Sequence, residues 1–230
     1  MTNLVLSPPR VASVTGARPS TFAVRLGLAG IVCALLFMGN LTAAAWDSMS
    51  VLDTTMSDYV FVPEIGWMFG AAVLCMCVAG LGAMIGLSAI RLLDNGMLRF
   101  ALGLAVVGSA LAAVFPTDLG ESLSFSAQVH RYAAGVVFFC VPIAVVLVAR
   151  QLTQVSYLAR YRKSLYVNAI VTSVVLALFM TSHFGVMPEA LHELNGLFQR
   201  LLFVLELSLL GQLTLLPLRF GVPAGTRPRP

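Results

Sequence analysis

Charge is scarce in this chain. Asp, Glu, Lys and Arg together make up 10% of its 230 residues, where a soluble globular domain carries about 25%. With apolar residues at 59% and a mean hydropathy of +0.92, that shortage excludes an ordinary soluble domain. Lysine is nearly missing: Lys163 stands beside 13 arginines, a bias that reads as codon usage and not chemistry. A disulfide framework is also missing. Cys33, Cys75, Cys77 and Cys140 all lie inside apolar runs, where a thiol packs as a small apolar side chain. Cys75 and Cys77 resemble a metal-ligand pair on paper. On a helix, residues two apart point about 200° around the axis from each other, which keeps them from sharing an ion. No Gly-rich phosphate loop and no nucleophile elbow occurs, and the length leaves no room for a second, soluble domain.

What the chain has is six long apolar runs: 26–46, 65–90, 97–115, 131–149, 165–182 and 197–218. At 1.5 Å per residue, each is long enough to cross a hydrocarbon core of about 30 Å. The fold class expected is all-α, a six-transmembrane-helix bundle. Residues 1–25, with Pro8, Pro9 and Pro19, read as a flexible basic tail, and residues 219–230 as a basic, proline-rich one. Ala43-Ala44-Ala45 resembles a signal-peptidase site, but the run before it is longer than a cleaved signal core. A retained signal-anchor helix is the expectation. Asn95-Gly96 favours a reversal between the second and third runs, because both residues tolerate positive φ. Pro142 inside the fourth run should kink it.

Twelve of the fourteen Lys and Arg residues fall on one side of this pattern, and only Arg131 and Arg200 on the other. The positive-inside rule then places both termini and the even-numbered loops in the cytoplasm. A bacterial cytoplasmic membrane is the expected location. The net charge of +4 is spread over loops between apolar runs, which argues against nucleic-acid binding. The lipid bilayer is the expected partner.

Helices associate in lipid through close backbone approach. Gly66-x-x-x-Gly70 and Gly82-x-x-x-Gly86 in the second run, and Ala101, Ala105, Ser109 and Ala113 on one face of the third, predict tight packing of these two helices, with a homodimer seam as the alternative. Few polar residues interrupt the spans. Glu206 is the one carboxylate well inside a span, on a face with Gln199, Phe203 and Leu210. Placing a charge near the bilayer centre costs at least ~2.5–3.5 kcal/mol. Glu206 must therefore face the bundle, be protonated or find a partner. A structural hydrogen bond to Asn168 or Asn40 and a proton-relay or substrate role both fit.

Eight of the ten acids and all three histidines fall on the outer side. Asp118, His130 and His183 sit at the outer ends of the third, fourth and fifth helices. Glu189, His192 and Glu193 share one face of a short interfacial helix after Pro188. A carboxylate and two or three imidazoles at one depth could bind zinc, with Asp118, His130, His183 and His192 as candidate ligands and a water in the fourth position. Competing readings are plain ones. Asp118 and Glu121 have capping-box spacing. Lone interfacial histidines serve as hydrogen-bonded anchors, and Arg200 should pair with an acid, Glu193 by spacing. The acidic loop between the first two helices reads as a solvated loop.

At Val114-Phe115-Pro116-Thr117-Asp118, the later His130, and Gly196-Leu197-Phe198-Gln199-Arg200, the chain resembles the bacterial membrane family filed as domain of unknown function 998, over roughly residues 25–218. The resemblance implies a six-helix integral membrane protein without a settled activity. It marks Asp118, His130 and Arg200 as candidate catalytic positions. A looser likeness is to multi-helix membrane hydrolases of the alkaline ceramidase and adiponectin-receptor type. The chain lacks the His-x-x-x-His pair those proteins carry on their last helix. The expectation is an integral membrane protein of unknown activity with a polar His/Asp/Glu cluster on its outer face; the alternatives are a metal-dependent hydrolase at the outer leaflet, then a small proton-coupled transporter built on Glu206, with a non-catalytic protein whose outer loops bind a partner as a further reading.

Overall fold

Inside a bilayer no water bonds to backbone N–H and C=O groups, so long apolar runs close their own helical hydrogen bonds. The computed structural model describes residues 20–118, 124–186, 188 and 193–220. They form α1 (Thr21–Ala44), α2 (Trp67–Ala89), α3 (Gly96–Val114), α4 (Phe125–Gln151), α5 (Ala159–His183) and α6 (Asn195–Phe220), with short 3-10 segments between them. All six helices are long and apolar enough to cross a membrane, and no strand occurs among the described residues.

Several helices run past the hydropathy limits because their polar flanks still propagate the helix. Ser20 caps α1, accepting from the Ala23 N–H at 3.2 Å, so Arg25 is helical. Ser124 caps α4, accepting from the Ala127 N–H at 3.3 Å. That start places His130 in the second turn of α4. In α5 the first turns carry Arg160, Arg162 and Lys163, whose long apolar stems can lie along the helix while their heads reach water. The α2–α3 reversal departs from expectation. The left-handed residue is Arg91, at φ 59°. Asn95 is extended and caps α3 instead, its Oδ1 accepting from the N–H groups of Met97 and Leu98 at 3.0 and 3.2 Å.

The small residues of α2 do not serve a single partner. A Cβ on Gly70 would lie 3.2 Å from the Ala113 carbonyl oxygen of α3, in line with the α2–α3 expectation. Gly82 faces α1 instead: its Cβ would lie 2.4 Å from the Gly27 nitrogen. Gly30 meets α2 the same way, at 2.6 Å from the Cys75 carbonyl oxygen. Since only rigid backbone stands in the way, Gly82→Ala is expected to lower the thermal unfolding temperature in detergent, with a cost of ~1–3 kcal/mol for overpacking. Gly103→Ala on α3, where nothing lies within 4 Å, should be neutral or raise it, by helix propensity worth up to ~1 kcal/mol.

Helix α6 is the central element. Of its apolar window 56% is buried, against 28–44% for the other five, and it packs on α1, α2, α4 and α5. The start of α1 and the end of α6 meet at one end of the bundle, where Ala23 and Pro217 flank Gly86. The α1–α2, α3–α4 and α5–α6 connections lie at the opposite end, and the candidate site lies there. The four cysteines are free, with Cys33 exposed and the others half-buried, so they do not pack deep in the core.

Candidate functional site

The α1–α2 connection is not a solvated loop. Its 3-10 segment, Met56–Phe61, folds back over the bundle and buries Met56 and Tyr59, the latter with no exposed surface. Thr55 and Asp58 hold the turn: the Thr55 N–H and hydroxyl donate to Asp58 Oδ2 at 3.2 and 2.7 Å. Helix α6 then fastens the segment down. Arg200 donates to the carbonyl oxygens of Thr54 and Gly196, both at 2.9 Å, and to the Tyr59 hydroxyl at 2.7 Å. Its guanidinium also lies 5.2 Å from the Tyr59 ring centroid. Gln199 Oε1 accepts from the Met56 N–H at 2.5 Å, and the Leu197 N–H donates to the Leu52 carbonyl at 2.9 Å. Gly196 is what lets the two backbones approach, since a Cβ there would lie 2.4 Å from the Thr54 oxygen. The Gly196-x-x-x-Arg200 spacing thus has a physical reason. The expected Glu193 partner is replaced by carbonyls and a phenol.

The Phe115-Pro116-Thr117-Asp118 stretch and His130 close the ends of α3 and α4 on each other. The last carbonyls of a helix lack intrahelical donors. His130 Nδ1 supplies one to Ala112 and Phe115, at 2.8 and 2.9 Å, and Ser126 Oγ donates to the Pro116 carbonyl at 2.8 Å. Carbonyl oxygens only accept, so Nδ1 must carry a hydrogen. Nε2 is then the atom His130 has left for a ligand. Asp118 Oδ2 accepts from the Ser124 N–H at 2.6 Å, at the start of α4. Asp118 is therefore a capping group, but for α4; Glu121, its expected partner, lies outside the described residues.

The hydrogen bonds of Asp118 to Ser124, through the side chain first and the backbone N–H second, hold its carboxyl below the usual aspartate range. A depressed folded-state value stabilises the protein above the unfolded pKa, and that stabilisation is lost as pH falls through the lower, folded value. Thermal unfolding of the wild type should therefore lose stability on acidification below about pH 4, and Asp118→Asn should remove that part of the loss.

Beneath the folded-back segment lies a cavity of about 50 Å³, walled by Met56, Phe69, Ser109, His130, Gln199 and Phe203 among others. That is room for a few waters, each needing roughly 10–15 Å³ by this measure. A smaller void of about 10 Å³ continues it toward the bundle centre: Met76, Ser109 and Val137 border both, and Leu210 borders the second. Glu206 sits on α6 between Phe203 and Leu210. It is fully buried, and neither of its carboxylate oxygens has a hydrogen-bond partner among the described residues. The expected bonds to Asn168 or Asn40 do not form. Asn40 Nδ2 donates to the Leu36 carbonyl at 2.7 Å, and Asn168 Nδ2 donates to Ser208 and Gln212.

Three of the four candidate zinc ligands, Asp118, His130 and His183, lie among the described residues. Asp118 is bonded to Ser124 and His130 to the end of α3. His183 closes α5 with its ring stacked on Phe179 at 5.6 Å, and Asn195 Nδ2 donates toward its Nδ1 at 3.5 Å. No three His, Cys, Asp or Glu side chains among the described residues form a group that could hold a metal ion. His192 and Glu189 lie outside those residues. Sequence reasoning missed Tyr59 and Met56, and took Ser109 only as a packing residue of the third helix; the apolar cluster Tyr59-Val60-Phe61-Val62 within an acidic loop was the available signal for the first two.

Six apolar helices, a reinforced cap at one end and a buried carboxylate at mid-span define an integral, multi-pass α-helical membrane protein. The chain belongs to the family described as protein of unknown function DUF998, whose family model matches residues 18–216. No curated protein and no solved structure matches it.

Proposed function

We propose that this protein is a small proton-coupled carrier of the bacterial cytoplasmic membrane, with both termini in the cytoplasm and the capped end of the bundle outside. The arginine distribution supports the orientation: Arg91, Arg99, Arg150, Arg160, Arg162 and Lys163 lie at or near the uncapped ends of the helices, where α1 starts after one basic tail and α6 ends before the other. The observation that carries the proton role is Glu206. A purely structural carboxylate inside a membrane is paired or bonded, because charge without a partner there is costly. Glu206 has neither among the described residues, and its flanking residues Phe203 and Leu210 border the two cavities. A group that binds and releases a proton needs such a setting, buried enough to hold the proton and close to space that water or a ligand can enter. His130, Ser109 and Gln199 place polar groups on the wall through which that entry runs.

The test is proton movement in proteoliposomes loaded with a pH-sensitive dye. Under an imposed pH gradient, wild-type vesicles should lose the gradient several-fold faster than protein-free vesicles, and Glu206→Gln vesicles should match the protein-free rate. Equal rates for wild type and Glu206→Gln would sink the reading.

A further inference from the structure

Polar side chains inside membrane spans almost always face other protein, because lipid offers them no hydrogen bond. On the seam between α5 and α6 a group of them faces outward. Asn168 Nδ2 donates to Ser208 Oγ at 2.9 Å and to Gln212 Oε1 at 3.3 Å, and Gln212 Nε2 donates to Ser164 Oγ at 2.9 Å. Ser208 and Ser164 are exposed, and Asn168 and Gln212 are half-buried. This is not headgroup depth. Counted from the apolar limits, Asn168 lies three residues past Leu165 and Ser208 ten residues before Leu218. At 1.5 Å per residue that is roughly 5 and 15 Å into a core about 30 Å thick.

The donors and acceptors on this face complement one another. Asn168 has used its amide hydrogens, and its Oδ1 has no donor among the described residues. Ser208 accepts from Asn168, and its hydroxyl hydrogen has no acceptor among them. An acceptor and a donor thus sit side by side at one depth. A twofold axis along the membrane normal brings the Ser208 hydroxyl of one copy to the Asn168 oxygen of the other, and the reverse, because such an interface presents the same patch twice. Helix α5, whose apolar window is 28% buried, is the least covered of the six spans. Beside the polar group it exposes Val167, Ile170, Val171 and Val174, an apolar surface that can pack on its own image. We infer that the α5–α6 face is the contact surface of a homodimer, with Asn168 and Ser208 bonded across the axis. Lipid chains would leave both groups unsatisfied, and a second copy of this chain carries the matching pattern. The inference rests on no part of the proton reading.

The experiment is oxidative cross-linking of the full chain in native membranes. Ser208→Cys is introduced into a Cys33→Ala background, which removes the exposed native thiol. Ser208→Cys should give a disulfide-linked species of twice the chain mass. Val107→Cys, 55% exposed and at mid-span on α3, should give none. In liposomes, Ser208→Leu should cut energy transfer between singly labelled copies several-fold at fixed dilution. The proposal is overturned if Ser208→Cys stays monomeric, if Val107→Cys links equally well, if Ser208→Cys links to a protein of another mass, or if Ser208→Leu leaves the transfer unchanged.

Discussion

Replacing Glu206 by glutamine should abolish proton movement while leaving the folded protein as stable as before, or more so. Ionised, the wild-type side chain would stand fully buried with two oxygens that have no partner among the described residues, at a cost of at least ~2.5–3.5 kcal/mol. The neutral acid is the form this setting tolerates, and glutamine has nearly its shape and no charge. Thermal unfolding in detergent should therefore show no loss for Glu206→Gln. Glu206→Ala leaves a cavity in the central helix and should cost ~2–5 kcal/mol, the range for large-to-small changes in a packed core. The two variants separate the chemical role from the packing role: both lose proton movement, and only the alanine loses stability. Infrared difference spectra give an independent reading. A carbonyl stretch of a protonated carboxylic acid should be present in the wild type and missing in Glu206→Gln. Should glutamine destabilise the bundle as much as alanine does, Glu206 has a structural partner and the proton role fails.

What could be read from the residues, and what could not, follows from the range of the forces involved. The spans are written locally, in runs such as 65–90 whose length matches the bilayer, so the number of helices and their class could be read directly. Which small residue meets which helix is not local. Gly70 and Gly82 stand on one helix, yet one meets α3 and the other α1. The polar residues were found, but their partners were not. Asp118, His130 and Arg200 were all singled out, and each proves to bond with backbone groups: the Ser124 N–H, the carbonyls of Ala112 and Phe115, and the carbonyls of Thr54 and Gly196. A backbone group carries no residue identity, so a search for acids opposite bases or clustered imidazoles passes over it. Of the candidate zinc ligands, Asp118 and His130 make such backbone bonds, Asp118 at the start of α4 and His130 at the end of α3. The folded-back segment was missed for a related reason. Its acids marked it as solvated, while Met56 and Tyr59 within it are buried by long-range contact with α6.

Arg200→Ala should release that segment without unfolding the bundle. Three charge-assisted hydrogen bonds and a ring contact converge on this one side chain. Each such bond to a charged group is worth ~1.5–3 kcal/mol and the ring contact about 0.5–1, though the contributions do not add. The α1–α2 contacts at Gly27, Gly30 and Gly82 are distant from Arg200 and remain, so the loss falls on the segment and not on the helices. Even a net loss of ~3 kcal/mol raises the detached population more than 100-fold, at tenfold per 1.4 kcal/mol. Ser109, 4% exposed and bordering both cavities, reports the change. A Ser109→Cys protein should react slowly with a water-soluble maleimide. In the Arg200→Ala background it should react at least ten times faster than the same chain with Arg200 intact, after subtraction of the parent carrying only the native cysteines. Arg200→Lys should fall between them. A single ammonium keeps the charge but cannot span two carbonyls and a phenol as the guanidinium fork does. Gly196→Leu should reproduce the Arg200→Ala phenotype by the opposite means, pushing the Thr54 backbone away with its arginine still present. Equal maleimide rates in all four proteins would mean that the segment does not close the cavity.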